Sequence, residues 1–375
     1  MKFSSFLQAM ADQKGSDLFI TTGMAPAMKV DGQLKVLSEQ KLMPDQVKEL
    51  VYGVMNKEQR EEFRTTHECN FAISAPGIGR FRVSAFYQRN QVGMVLRRIE
   101  FDIPPLENLN LPDIIKTLSM TKRGLVLFVG ATGTGKSTSL ASMIQYRNEN
   151  ARGHIICIED PIEFIHPHKK SIVTQREVGI DTDSFETALK NTLRQAPDVI
   201  MIGEVRTRET MEYALAFAET GHLCLATLHA NNADQAMDRV IHFFPQERHH
   251  QVFMDLSLNL KGVVAQQLLP TIDGKGRRAA VEVMLNSPLI SNTIRKGDVH
   301  LLKGIMSRSR ESGMQTFDQA LFDLYNDGVI SEEVALQHAD SPNDLRLMIK
   351  LGSAEAEGED ASPFQSAADK FTLQD

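Results

Sequence analysis

The chain has 375 residues, 42% of them hydrophobic and 24% charged, which suits a globular protein with room for two cores and excludes a fibrous or wholly disordered one. Its net charge of −7 sits mostly in residues 352–375, where six acids face one base; the remainder, with 40 bases and 42 acids, is too near neutral for a protein whose main work is gripping nucleic acid. No apolar run approaches the roughly 18 residues of a membrane span and the first residues lack a signal peptide's apolar core, so a cytoplasmic protein without a transmembrane segment is expected.

In chain order, residues 1–100 read as a small α+β domain. Asp17–Thr21 and Ala27–Val30 are predicted strands, with Asp31-Gly32 turning into Gln33–Leu37. Pro44 opens a helix predicted to reach about Met55, with Val47, Leu50, Val51 and Val54 at helical spacing. Phe71–Ser74, Arg80–Gln88 and Val92–Ile99 are strands again, and in the second of them Phe81, Val83 and Ala85 share one face while Arg80, Arg82 and Ser84 share the other. Pro104-Pro105 breaks the chain, which places a linker at 101–112.

Residues 113–350 read as a second domain in which strands (Leu125–Val129, His154–Ile158, Val199–Ile202, Leu223–Thr227) alternate with helices. That rhythm implies an α/β fold with a largely parallel, buried sheet and ligands at its carboxyl edge. Helices dominate after about 287, and an acidic tail predicted to be disordered fills 351–375. Cys69, Cys157 and Cys224, odd in number and far apart, point to buried reduced thiols; the absence of any C-x-x-C excludes a four-cysteine zinc site.

The first predicted strand of the second domain runs into Gly130-Ala131-Thr132-Gly133-Thr134-Gly135-Lys136-Ser137-Thr138, the phosphate-loop pattern G-x4-G-K-[ST], here between a strand and a helix as the pattern requires. Glycines let backbone N–H groups close around phosphate oxygens, Lys136 is expected to reach the β/γ-phosphates and Ser137 to sit on Mg²⁺. A nucleoside triphosphate with Mg²⁺ is the predicted ligand.

Later strands also end in polar residues. Glu159-Asp160-Pro161-Ile162-Glu163 follows one and Gly203-Glu204-Val205-Arg206 another, so that Glu159, Asp160 and Glu204 are candidate metal carboxylates and one acid can act on the attacking water. His229 ends a strand that His222 precedes. His229 reads either as a satisfied turn residue or as a γ-phosphate sensor, and a shared metal site is disfavoured because a strand separates the two rings. Arg80, Arg82, Arg97 and Arg98 read either as a solvated sheet face or as arginine fingers entering a neighbouring subunit's site, which requires a ring.

These boxes, Gly130–Thr138, Ile158–Phe164, Asp198–Arg206 and Gly221-His222 through His229, stand in the same order as in the secretion ATPases. The chain resembles, more narrowly, the type IV pilus retraction (twitching-motility) ATPases of the PilT/PilU group. Gly313–Leu321, Asn343–Arg346 and the acidic tail look closer to the PilU branch. The resemblance implies a PAS-like N-terminal domain, a RecA-like ATPase core and a homohexamer. It implies Glu163 as general base, Glu204 as the Walker-B carboxylate near Mg²⁺, and His222 and His229 as couplers of nucleotide state to domain position. It further implies work at the cytoplasmic base of the pilus, peripheral to the inner membrane, against an inner-membrane platform protein. Asn292-Thr293-Ile294-Arg295 lacks the alanine of the Ala-Ile-Arg motif that PilT-type motors carry there, so an accessory motor beside a PilT-type ATPase is expected. The alternatives are a RecA-like nucleic-acid translocase, opposed by the near-neutral body, and a non-catalytic ATP-binding scaffold, opposed by the intact boxes.

Overall fold

The computed structural model describes residues 3–30, 32–99 and 102–356. Asp31 of the expected turn, and the acidic segment beyond Ala356, lie outside the described residues.

Among the described residues thirteen strands form two sheets. β1 (Asp17–Thr21), β2 (Ala27–Val30), β3 (Gln33–Val36), β4 (Glu68–Ala75), β5 (Gly79–Gln88) and β6 (Gln91–Ile99) pair antiparallel in the order β3-β2-β1-β6-β5-β4. β7 (Gly124–Val129), β8 (Gly153–Glu159), β9 (Ser171–Glu177), β10 (Val199–Ile202), β11 (Leu223–Leu228), β12 (Leu260–Pro270) and β13 (Arg277–Leu285) follow in the order β13-β12-β7-β11-β10-β8-β9. Within it β9, β8, β10 and β11 run parallel and β12 and β13 antiparallel, so the mixed α/β class read from the sequence is the class observed. Every residue of β7, β10 and β11 is buried, which is why these strands read as unbroken apolar runs with no alternation.

By its contacts the chain separates into two compact units. The first holds residues up to Asn108 together with Ser119–Leu125 and Ser137–Thr227. Its N-terminal sheet packs Leu18, Ile20, Met28, Phe81, Val83 and Leu96 into one core with Val47 and Val51 of the helix Pro44–Gly53. The predicted alternation in β5 is borne out: Phe81, Val83 and Ala85 are buried, Arg80 and Arg82 half-buried. Two helices escape the sequence reading, Phe3–Asp12 and Lys57–Thr66. The second is mostly charged, buries only Phe63, and is fixed by a reciprocal cap between Asn56 and Gln59.

The second unit holds Leu109–Leu118, Val126–Lys136 and the described residues from Leu228 onward. Helices prevail after β13, and the last of them, Pro342–Ala356, carries helix into the stretch expected to be disordered. At its centre is Glu282, 2% exposed, whose carboxylate accepts from Ala233 N (2.7 Å) and Phe317 N (3.3 Å), the first residues of two helices. Both helix dipoles favour its charge, but burial and the carboxylates of Asp340 and Asp234 outweigh them and push its pKa up to about 7. Lys303, 2.8 Å from Asp340 and 3.6 Å from Asp318, is the cation that holds this acidic group together.

The three cysteines are free and buried, and burial raises the pKa of each thiol.

Glu282 keeps its proton in the folded chain up to about pH 7 but releases it near its ordinary value of 4.5 when unfolded. Its stabilising contribution is therefore complete below pH 4.5 and is lost as pH rises through 7, up to ~3 kcal/mol in all. Thermal unfolding at pH 5 and pH 8 should show a smaller drop in midpoint for Glu282→Gln than for the unaltered chain; equal drops would clear Glu282 of the effect.

Candidate active site

The loop after β7 is shaped by what lies against it. Gly130 has φ +150° and a Cβ there would stand 2.6 Å from the Gln266 backbone oxygen; Gly135 has φ +89° and its Cβ would stand 2.7 Å from Gln266 Nε2. Only glycine satisfies both the left-handed backbone and the lack of space. Gln266, buried in β12, donates from Nε2 to Thr134 O at 2.9 Å, and Thr134 Oγ1 donates to Ala131 O at 2.9 Å. Lys136 begins the helix Lys136–Asn150 and folds back, its Nζ donating to Gly130 O (2.7 Å) and Ala131 O (2.8 Å). The ammonium is thereby fixed across the loop, while Ala131, Thr132, Gly133 and Ser137 are exposed and Thr138 half-buried. A ring of backbone around a buried cation, at a helix start, fits a polyphosphate.

The carboxylates form a second group. Glu159, Glu163, Glu204 and Asp160 come from the ends of β8 and β10, which pair in register from Ile155↔Val199 to Ile158↔Ile202. Glu204 Oε2 lies 2.7 Å from Arg206, whose other terminal nitrogen is 3.5 Å from Asp160, so one guanidinium bridges the two strand ends. Arg206 is held above its ordinary pKa, chiefly by the Glu204 hydrogen bond. Asp160 and Glu163 are exposed, the Asp160–Pro161 bond is cis, and Glu159 is buried. Burial, with Glu163 and Glu177 nearby, raises the Glu159 pKa to about 7 although Gln175 donates to its Oε1 at 2.9 Å.

The arginines of the N-terminal sheet meet acids of their own chain. Arg97 Nε lies 2.8 Å from Asp17 Oδ1, and its pKa is raised first by that hydrogen bond, with Glu163 a smaller contributor. Arg82 Nε lies 3.9 Å from Glu177 Oε1. An acidic partner thus exists for these side chains without a neighbouring subunit. His222, ahead of β11, shares Nδ1 contacts with Thr220 Oγ1 (3.1 Å) and Phe217 O (3.3 Å), and half-buried His229 follows the other end of that strand. Among the described residues no three His, Cys, Asp or Glu side chains are grouped to hold a metal ion.

Sequence reasoning missed Gln266, Gln175 and Glu177. Each stands beside other polar residues in its strand, so nothing in the neighbouring sequence set it apart.

Comparison with known proteins gives a match to the family described as type II/IV secretion system protein over residues 3–323. The type IV pilus ATPase PilU of Pseudomonas aeruginosa is 70% identical over 353 residues, 94% of this chain and 92% of the relative. The type IV pilus retractation ATPase PilT of the same organism is 42% identical over 345 residues, 92% of this chain and 100% of the relative. A crystal structure of the pilus retraction motor PilT with bound ADP superposes with a TM-score of 0.86 at 41% identity, covering 92% of this chain and 99% of that one.

Gly135→Ala would force a side chain into left-handed backbone at about 1–2 kcal/mol and displace Gln266. Titration with a fluorescent ATP analogue should show affinity weakened by at least about tenfold for Gly135→Ala and by about threefold for Gln266→Leu, which loses one neutral hydrogen bond. Unchanged affinity in both would remove this loop from the binding site.

Proposed function

Since the chain belongs to the type II/IV secretion system protein family, we propose that it is an ATP-hydrolysing motor for type IV pilus retraction, acting beside a PilT-type ATPase. It is an ATPase of the PilU/PilT kind. The observation that carries the reading is the glycine loop locked by Gln266 with Lys136 fixed across it, in a chain alike over nine-tenths of its length to pilus ATPases.

In this reading the loop amides and Lys136 bind the β/γ-phosphates, and Ser137 with Glu204 holds Mg²⁺, which when bound would offset phosphate charge. Glu163, exposed on a loop whose neighbours are hydrogen-bonded to β9, takes a proton from the attacking water. Glu204 is oriented by Arg206. Arg80, Arg82 and Arg97 supply positive charge, and His229 senses the γ-phosphate and, with His222, passes nucleotide state to domain position. Residues 1–100 form a PAS-like domain, 101–112 a linker, 113–350 the RecA-like core with its C-terminal helices, and six chains make a ring. No helix among the described residues is long and apolar enough to cross a membrane. In this reading the ring works at the cytoplasmic base of the pilus against an inner-membrane platform protein.

Lys136→Ala, Glu163→Ala and Glu204→Ala should each lower Mg-ATP hydrolysis by about a hundredfold or more, read as phosphate release. Full activity in any one would remove that residue from the machinery. In cells lacking any PilT-like motor, the unaltered chain should give little pilus retraction, and adding that motor should restore it. Retraction by this chain alone, abolished by Glu204→Ala, would make it an autonomous motor.

A further inference from the structure

Glu177 ends β9, is 2% exposed, and pairs in register with Glu159 at the end of β8. Its Oε2 is buried with no hydrogen-bond partner, and so is Arg80 Nε. The charges of Arg82 and Arg80 both bear on this carboxylate, yet the nearer contact, Arg82 Nε to Oε1, is 3.9 Å. One oxygen of a buried carboxylate and a buried guanidinium nitrogen thus each lack a hydrogen-bond partner, while the two groups lie within each other's field.

The other side of Glu177 faces the loop that bears Glu163. The backbone N–H of Ile162 supports its charge. Two residues earlier on the same face of β9, Gln175 donates from Nε2 to Phe164 O (2.8 Å) and Glu159 Oε1 (2.9 Å), and accepts from His166 N at 2.9 Å. The loop 160–166 therefore rests on β9 through these two side chains, and one of them is the acid that β5 addresses with its arginines.

We infer that Glu177 is a positioning residue, the seat for Arg80 and Arg82, through which the placement of the N-terminal sheet reaches the loop carrying Glu163. This rests on the ATPase reading above. With the arginines seated, the Glu177 charge is matched and the loop is held; with them withdrawn, the carboxylate is unmatched and the loop is freed. The same guanidinium cannot sit on Glu177 and on a phosphate at once, so Glu177 also competes for the arginines.

The test uses the full chain with Glu177→Gln, Arg82→Gln and the double variant. Glu177→Gln should lower kcat about tenfold while affinity for a fluorescent ATP analogue stays within about twofold, and the double variant should be no slower than the slower single. Amide exchange of the 160–166 segment, measured without nucleotide, should be at least about fivefold faster in Glu177→Gln and in Arg82→Gln. Wild-type kcat and exchange in Glu177→Gln, or multiplying losses in the double variant, would overturn the inference. Should Glu177→Gln not fold, Arg82→Gln decides: unchanged exchange at 160–166 overturns the coupling, faster exchange supports it. If the unaltered chain hydrolyses no ATP, the functional proposal fails, while the exchange comparison still decides whether Glu177 links sheet and loop.

Discussion

A loop that must offer its backbone to phosphate has few ways to hold its own shape, and here that task falls to Gln266. The loop cannot carry side chains at 130 and 135, because the approaching strand leaves no room for them. The same strand supplies the donor that fixes Thr134. Close approach and hydrogen bond are therefore one arrangement: glycine permits the contact, and the contact removes the freedom that glycine would otherwise bring. The loop so held presents the Gly130 and Ala131 carbonyls that orient the Lys136 ammonium.

The carboxylate group follows a different logic. Several acids crowd strand ends that already bury their apolar sides, so repulsion and desolvation work against the fold. Arginines answer them from two directions: Arg206 from the adjoining loop and Arg82 from the N-terminal sheet. The Arg82 contact, at 3.9 Å, is the longer one, and its attraction is the more readily adjusted. A site that has to change during a cycle is better served by such pairs than by contacts that are fully made.

Much of this was legible in the sequence where information is local. The phosphate loop is a contiguous motif, β7, β10 and β11 are apolar runs, and the β5 alternation has the period of a strand facing one core. What escaped depends on distant partners. β9, with Thr174, Gln175, Arg176 and Glu177 in its second half, has no apolar pattern and exists as a strand because β8 offers it a parallel edge. β12 and β13 pair along their whole lengths, a relation visible only when both are placed. Gln175, Glu177 and Gln266 look like surface residues in a string of letters; burial of the last two and the hydrogen bonds of Gln175 make them structural. The helix that runs on to Ala356 also went unread, because composition cannot separate an acidic helical end from an acidic coil.

The buried thiols bear on how motion in this protein can be observed. Cys157 lies in the buried stretch of β8, Cys224 in the wholly buried β11, and Cys69 in the N-terminal core. With each held protonated by its surroundings, none offers the thiolate that alkylating dyes require. The folded chain is thus a silent background for maleimide chemistry. A single cysteine introduced on β5 and another on the 160–166 loop could carry a fluorophore pair without removing any native cysteine, and unwanted labelling of the native three would itself be a measure of unfolding.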